Sequence, residues 1–225
     1  DATRGLLLAY PSAVPNRIFL LSPASCSGRR AGLILRERAS FDLARRLRGE
    51  EGAPLGDVFA FLSGLYFRGK LAYARRFAQP PGEIPGALVI TPNAGLRPAE
   101  APVRLSDLRR FARVAIDVAD SRYRRPLARD VRLLAKRAGP NSEIVLLGSI
   151  ATGKYVDVLL EILGPRLLFP GEFVGRGDMS RGGLLLRCAR EGRELSYRSV
   201  QGAVRHGPRP PKLPPIPRRP AEASH

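Results

Sequence analysis

The stretch Ile144-Val145-Leu146-Leu147-Gly148-Ser149-Ile150-Ala151-Thr152-Gly153-Lys154-Tyr155, running on through Val156 to Leu163, decides the fold class. Four consecutive apolar residues ending at a glycine read as a strand buried on both faces. The apolar spacing from about Val156 to Leu163 reads as a helix. The same grammar recurs outward along the chain. Ile18–Leu21, Ala87–Thr91, Val114–Val118 and Arg166–Phe169 read as further strands. Helices are expected over about Glu37–Arg48, over Asp57–Ala78 with a break near Gly64 and Gly69, and over about Ser106–Arg113. Another runs to Ala138, with Pro126 in its first turn. Leu184–Ala189 and Glu194–Val200, flanking Glu191-Gly192, read as a terminal hairpin. Strands alternating with helices predict a single three-layer α/β domain with a mostly parallel sheet. That domain spans residues 1–200. Residues 201–225, with seven prolines, five Lys or Arg and one acid, read as a disordered basic tail.

Composition narrows the chemistry. The chain has 225 residues, 38 Lys plus Arg against 20 Asp plus Glu, and a formal charge of +18. The tail supplies +4 of this, so residues 1–200 are themselves basic at +14. Such a field favours polyanions. The only histidines are His206 and His225, which removes a His general base and His-ligated zinc from residues 1–205. Cys26 and Cys188 have no metal-type spacing, so neither metal nor cofactor is expected. No run approaches about 18 consecutive apolar residues, and Gly5–Tyr10 is too short for a signal peptide. The expectation is a cytoplasmic protein with a nucleic-acid partner and no membrane.

Several segments could meet that partner. Gly148–Tyr155 has the glycine–lysine spacing of a phosphate-binding loop, but Tyr155 stands where Mg²⁺ coordination needs Ser or Thr. That argues against a nucleoside-triphosphatase. It leaves either a single phosphate held by backbone amides and Lys154 or an ordinary strand-to-helix turn. Gly64–Phe77 interleaves aromatics with Arg68, Lys70, Arg75 and Arg76. It fits stacking plus phosphate contact, or equally an amphipathic core helix with a solvated arginine face. Arg29 and Arg30 follow the first strand, and Arg176 and Arg181 flank a glycine-rich segment expected as a loop. The phosphate-contact candidates are therefore Arg29, Arg30, Arg68, Lys70, Lys154, Arg176 and Arg181, with Asn93 and Tyr155 as candidates for a base or sugar. Asp117 and Asp120, at the end of the expected third strand, are catalytic candidates for glycosidic-bond or nucleotide chemistry, or partners of Arg122, Arg124 and Arg125. Cys26 is a candidate thiolate beside Arg29 and Arg30. A third possibility is a basic ribonucleoprotein component that uses its tail to pack RNA.

Taken in order, Leu21-Ser22-Pro23-Ala24, Phe67-Arg68-Gly69-Lys70-Leu71-Ala72-Tyr73, Thr91–Pro98, Ile150–Tyr155 and the late Arg-Gly segment resemble motifs of the peroxide-stress YaaA-like family. The order is also similar to a domain in the C-terminal half of archaeal tRNA-guanine transglycosylases. Ser25 stands where the family carries a lysine. The resemblance implies an α/β fold and action on DNA or RNA, as in DNA-protection and base-modification factors, without implying a particular reaction.

Overall fold

A computed structural model describes residues 15–214. His225, Gly5–Tyr10 and the last part of the expected tail lie outside the described residues. Strand β1 (Arg17–Leu21) is followed by helices α1 (Arg29–Leu35) and α2 (Asp42–Arg48), a two-residue strand β2 (Ala53–Pro54), and helices α3 (Leu55–Ser63) and α4 (Leu65–Phe77). Next come β3 (Ala87–Ile90), β4 (Leu96–Pro98), β5 (Pro102–Val103), α5 (Leu105–Phe111) and α6 (Ser121–Ala138). The chain closes with β6 (Glu143–Leu147), α7 (Gly153–Leu163), β7 (Leu167–Pro170), α8 (Asp178–Glu191) and β8 (Tyr197–Ser199).

Six strands form one sheet in the order β4-β3-β1-β6-β7-β8. The inner four are parallel, and β4 and β8 pair antiparallel at the two edges. Ile18, Phe19, Leu20 and Leu21 are fully buried, as are Ile144 to Leu147. Helices cover both faces, which is why these strands read as unbroken apolar runs and not as alternation. Helices α4 and α8 pack together on one side, and α6 and α7 on the other. The result is the expected three-layer α/β arrangement with a mostly parallel sheet. No helix among the described residues is long and apolar enough to cross a membrane.

The α4–α8 contact is unusually close. A Cβ on Gly69 would lie 2.6 Å from the Gly182 carbonyl oxygen, and one on Gly182 would lie 2.7 Å from the Tyr66 Cα. Glycine at both positions lets the two backbones touch. Gly64, at φ +67°, makes the expected break between α3 and α4.

Four local expectations are corrected. Val114–Val118 forms no strand: successive turns, including Val114 N–H to Phe111 O and Asp120 N–H to Asp117 O, curl this segment between α5 and α6. The outer edge of β3, which such a strand would need, is already taken by β4. Leu184–Ala189 is helical within α8, so only Tyr197–Ser199 of the expected hairpin joins the sheet. A short apolar run does not distinguish strand from buried helix, and the Gly69–Gly182 contact favours helix. Residues expected as one helix from Glu37 form only α2, while Arg29 and Arg30 open α1 and do not lie in a loop. Pro126 sits inside α6, which begins five residues earlier at Ser121 with Asp120 as its cap. The described part of the tail has no regular structure yet lies against the body. Arg187 donates to the Pro214 carbonyl, and Leu213 packs on the core.

Candidate functional site

Chain order sets where a site can form. From β1 the first crossover runs to β3 on one side, and the later chain returns to β6 on the other. The loops leaving β1 and β6 therefore diverge over opposite faces at the strands' carboxyl ends, the place where open α/β sheets bind ligands.

Ser22 leaves β1 at this point, its N–H bonded to the Leu147 carbonyl. Gly148 leaves β6 beside it. A Cβ on Gly148 would come within 2.8 Å of the Ser22 Cβ and 3.0 Å of the Tyr155 hydroxyl, so only glycine lets these groups meet. Tyr155, from α7, donates to the Ser149 carbonyl at 2.9 Å. Burial raises its pKa, and Ser22 and the Ser149 bond oppose that rise. From the facing helix α4, Lys70 extends its Nζ to 2.7 Å from the Ser22 carbonyl oxygen and 2.9 Å from the Ser22 Oγ.

Lys70 is 1% exposed and lies over the rings of Tyr66 and Phe67 at 4.5 and 4.6 Å. No carboxylate among the described residues comes within ion-pair distance of it. Asp178 acts on it from farther away, and Arg181 opposes Asp178. Loss of water disfavours the ammonium form, and burial brings Lys70 down to about 7. Arg181 is also buried. It donates to the Phe173 carbonyl at 3.2 Å and pairs with Asp178 at 3.3 Å. The Tyr66 hydroxyl is buried without a hydrogen-bond partner among the described residues, and its burial raises its pKa.

The expected site residues thus separate into groups. Lys70, Tyr155 and Arg181 are buried beside the ends of β1 and β6, so Lys70 and Arg181 are not surface phosphate contacts. Lys154 is exposed at the start of α7, adjacent in sequence to Tyr155. Arg29 is exposed on α1. Asn93, in the loop after β3, donates to the Arg110 carbonyl at 2.9 Å. Asp120 caps α6 through the Arg122 N–H and is gripped by the Arg122 side chain, which lowers its pKa. Asp117 is exposed and accepts from the Ala119 N–H. Neither carboxylate lies at a strand end. Burial pushes the Cys26 thiol up to about 12, so it is not the expected thiolate. Sequence reasoning missed Ser22, Tyr66 and Gly148 as site residues, although each lay within a stretch singled out for other reasons.

Arg30, Arg68 and Arg176 face two surface hollows. One, of about 640 Å³, is lined by Arg30, Arg68 and Arg75 among others. The second, of about 370 Å³, is lined by Arg176, Arg187 and the tail residues Arg209 and Lys212. Gly64 and Leu65 are consecutive, as are Leu186 and Arg187, and each pair has one residue in either hollow. The hollows therefore adjoin along the α4–α8 seam. Asp57 is the one carboxylate among the described residues lining either of them.

The chain matches no family model, no curated protein and no solved structure.

Proposed function

We propose that this is a nucleic-acid-binding protein of the cytoplasm that holds phosphates along the α4–α8 seam. The observation that carries this reading is the band itself. Seven cations (Arg30, Arg68, Arg75, Arg176, Arg187, Arg209 and Lys212) line adjoining hollows with a single acid among them. Six of the seven make no ion pair with a carboxylate among the described residues; Arg75, which pairs with Glu100 at 2.8 Å and lies 3.9 Å from Asp57, is the exception. An acid-poor concave band attracts a polyanion and releases its counterions when one binds. The tail contributes two of the seven cations, so body and tail act as one surface. Both cysteines are unpaired and buried, which suits a reducing compartment.

Fluorescence anisotropy with labelled single-stranded and duplex DNA and RNA tests this reading. With about six phosphates engaged, affinity falls roughly a thousandfold between about 50 and about 200 mM salt. Arg68→Ala combined with Arg187→Ala weakens all sequences alike and reduces the salt slope by about two. Absence of binding at low salt, or a slope unmoved by the double substitution, would refute it.

A further inference from the structure

We infer that Ser22 and Lys70 form a nucleophile–base pair for acyl transfer to or from a small carboxylic ester or amide. The pair sits beside the carboxyl ends of β1 and β6, where the strand order of an open α/β sheet favours a ligand. It stands apart from nucleic-acid binding, since neither residue lines the basic band.

Three observations converge. The first is geometric: Nζ lies 2.9 Å from the Ser22 Oγ and is held there by the Ser22 carbonyl at 2.7 Å. In the neutral amine one N–H donates to that carbonyl, and the lone pair is free to accept the Ser22 hydroxyl proton. The second is energetic. A fully buried amine with no carboxylate beside it destabilises a fold, so packing alone gives no reason to keep it. The charged groups acting on it are Asp178 and Arg181 from α8, which oppose each other, while Ser22 from the β1 loop and the Tyr66 and Phe67 rings of α4 lie against it. This setting leaves about half of the amine neutral at pH 7, and the neutral form is the one that acts as a base. The third is convergence. Ser22, Gly148 and Tyr155 come from loops and a helix far apart in sequence, and Gly148 lacks the one atom that would drive the two hydroxyls apart.

The chemistry balances without a cofactor. The Ser22 Oγ attacks the acyl carbon, an O–C bond forms, and the hydroxyl proton passes to the Lys70 Nζ. The tetrahedral centre collapses, the bond to the leaving group breaks, and that group takes the proton from Lys70. Water then attacks the acyl-serine with Lys70 again as base, releasing the acid and restoring both side chains. The Tyr155 hydroxyl lies beside Gly148 and donates to the Ser149 carbonyl. Ser22 retains 5% of its surface against 1% for Lys70, so the acyl group must be small.

The test treats the folded protein with a small alkyl fluorophosphonate, which bonds to an activated serine with loss of fluoride. The expected result is one adduct, mapped by peptide mass to Ser22, whose rate climbs as pH rises through about 7 and then levels off. Ser22→Ala gives no adduct, and Lys70→Met lowers the rate by roughly a hundredfold or more. Both variants are checked for native circular dichroism. The wild-type adduct and its pH profile need no variant, so a misfolded substitution leaves the test intact. No adduct on the wild type, an adduct elsewhere, or an unchanged rate in folded Lys70→Met overturns the proposal. So does borohydride trapping of an aldehyde on Lys70 while Ser22 stays unlabelled, which would make the amine itself the nucleophile.

Discussion

At the start of β1 the Arg17 guanidinium is buried between two carboxylates, Glu143 and Glu194, with the Tyr197 ring 4.8 Å away. Just past the other end of the same strand, the Lys70 amine is more deeply buried and has the Ser22 hydroxyl and carbonyl and two aromatic rings around it. Its nearest charged neighbours, Asp178 and Arg181, oppose each other. The contrast shows in protonation. The carboxylates around Arg17 outweigh its desolvation and raise its pKa, whereas desolvation dominates at Lys70 and lowers it. A cation kept for structure is neutralised where it is buried. An amine left without a counter-charge is poised to exchange a proton, which is what a reactive site requires.

The largest effect should come from making the Arg17 end resemble the Lys70 end. Replacing Glu143→Gln and Glu194→Gln together leaves the guanidinium buried without a carboxylate. The expected loss is about 3 kcal/mol in urea unfolding, the low end for such pairs because the glutamates are about a third exposed. If stability held, the ion pairs would not be what retains Arg17.

Next in size is the pH dependence of the Lys70 end. In the unfolded chain the amine titrates near 10.5, and in the fold near 7. Between those values the unfolded state carries a proton that the folded state lacks. Stability therefore rises with pH from about 7, by up to about 1.4 kcal/mol per unit. Above about pH 9 the raised Cys26 thiol acts in the opposite direction, because its proton is then retained only in the fold. Lys70→Met should flatten the rise between about pH 7 and 8.5 and leave the fold as stable as the wild type at neutral pH, or more so. A steep rise persisting in that variant would assign the titration to another group.

The smallest effect sharpens the contrast further. Asp178→Asn removes the one carboxylate that acts on Lys70 from a distance, and its side chain is 69% exposed. Unfolding should change by less than about 0.5 kcal/mol. The pH midpoint of Ser22 labelling should move lower, because the residual support for the ammonium is gone. A midpoint that moved higher would mean the Asp178 field reaches Lys70 with the opposite sign to the one derived.

Much of the fold was legible because the physics is local. Ile18–Leu21 and Ile144–Leu147 could be read as central parallel strands from unbroken apolar runs, and Gly64 as a break between helices. Val114–Val118 has the same apolar look but no sheet edge to occupy, and edge availability is not written in a short segment. The candidate site was legible in pieces. Lys70 stands in an arginine-rich helix and reads as one more phosphate contact, as Arg68 does two residues earlier. The two part company because α4 is covered by the sheet on one side and by α8 on another, leaving only the Arg68 face open. Asp120 was misplaced for the converse reason: a helix cap looks like a strand end when the preceding turns are mistaken for a strand.

The amino-acid sequence by itself determined the alternation of strand and helix, the basic excess of the body and the absence of histidine from residues 1–205. Periodicity, chain composition and charge are properties of neighbours along the chain. Only the tertiary structure decided that Arg30 and Arg68 share one acid-poor hollow and Arg176 lines its neighbour, while Lys70 turns inward to Ser22. Those outcomes depend on which helix meets which, and the Gly69–Gly182 approach that fixes it joins residues more than a hundred positions apart. Burial, which sets the protonation of Lys70, exists only once that contact has formed.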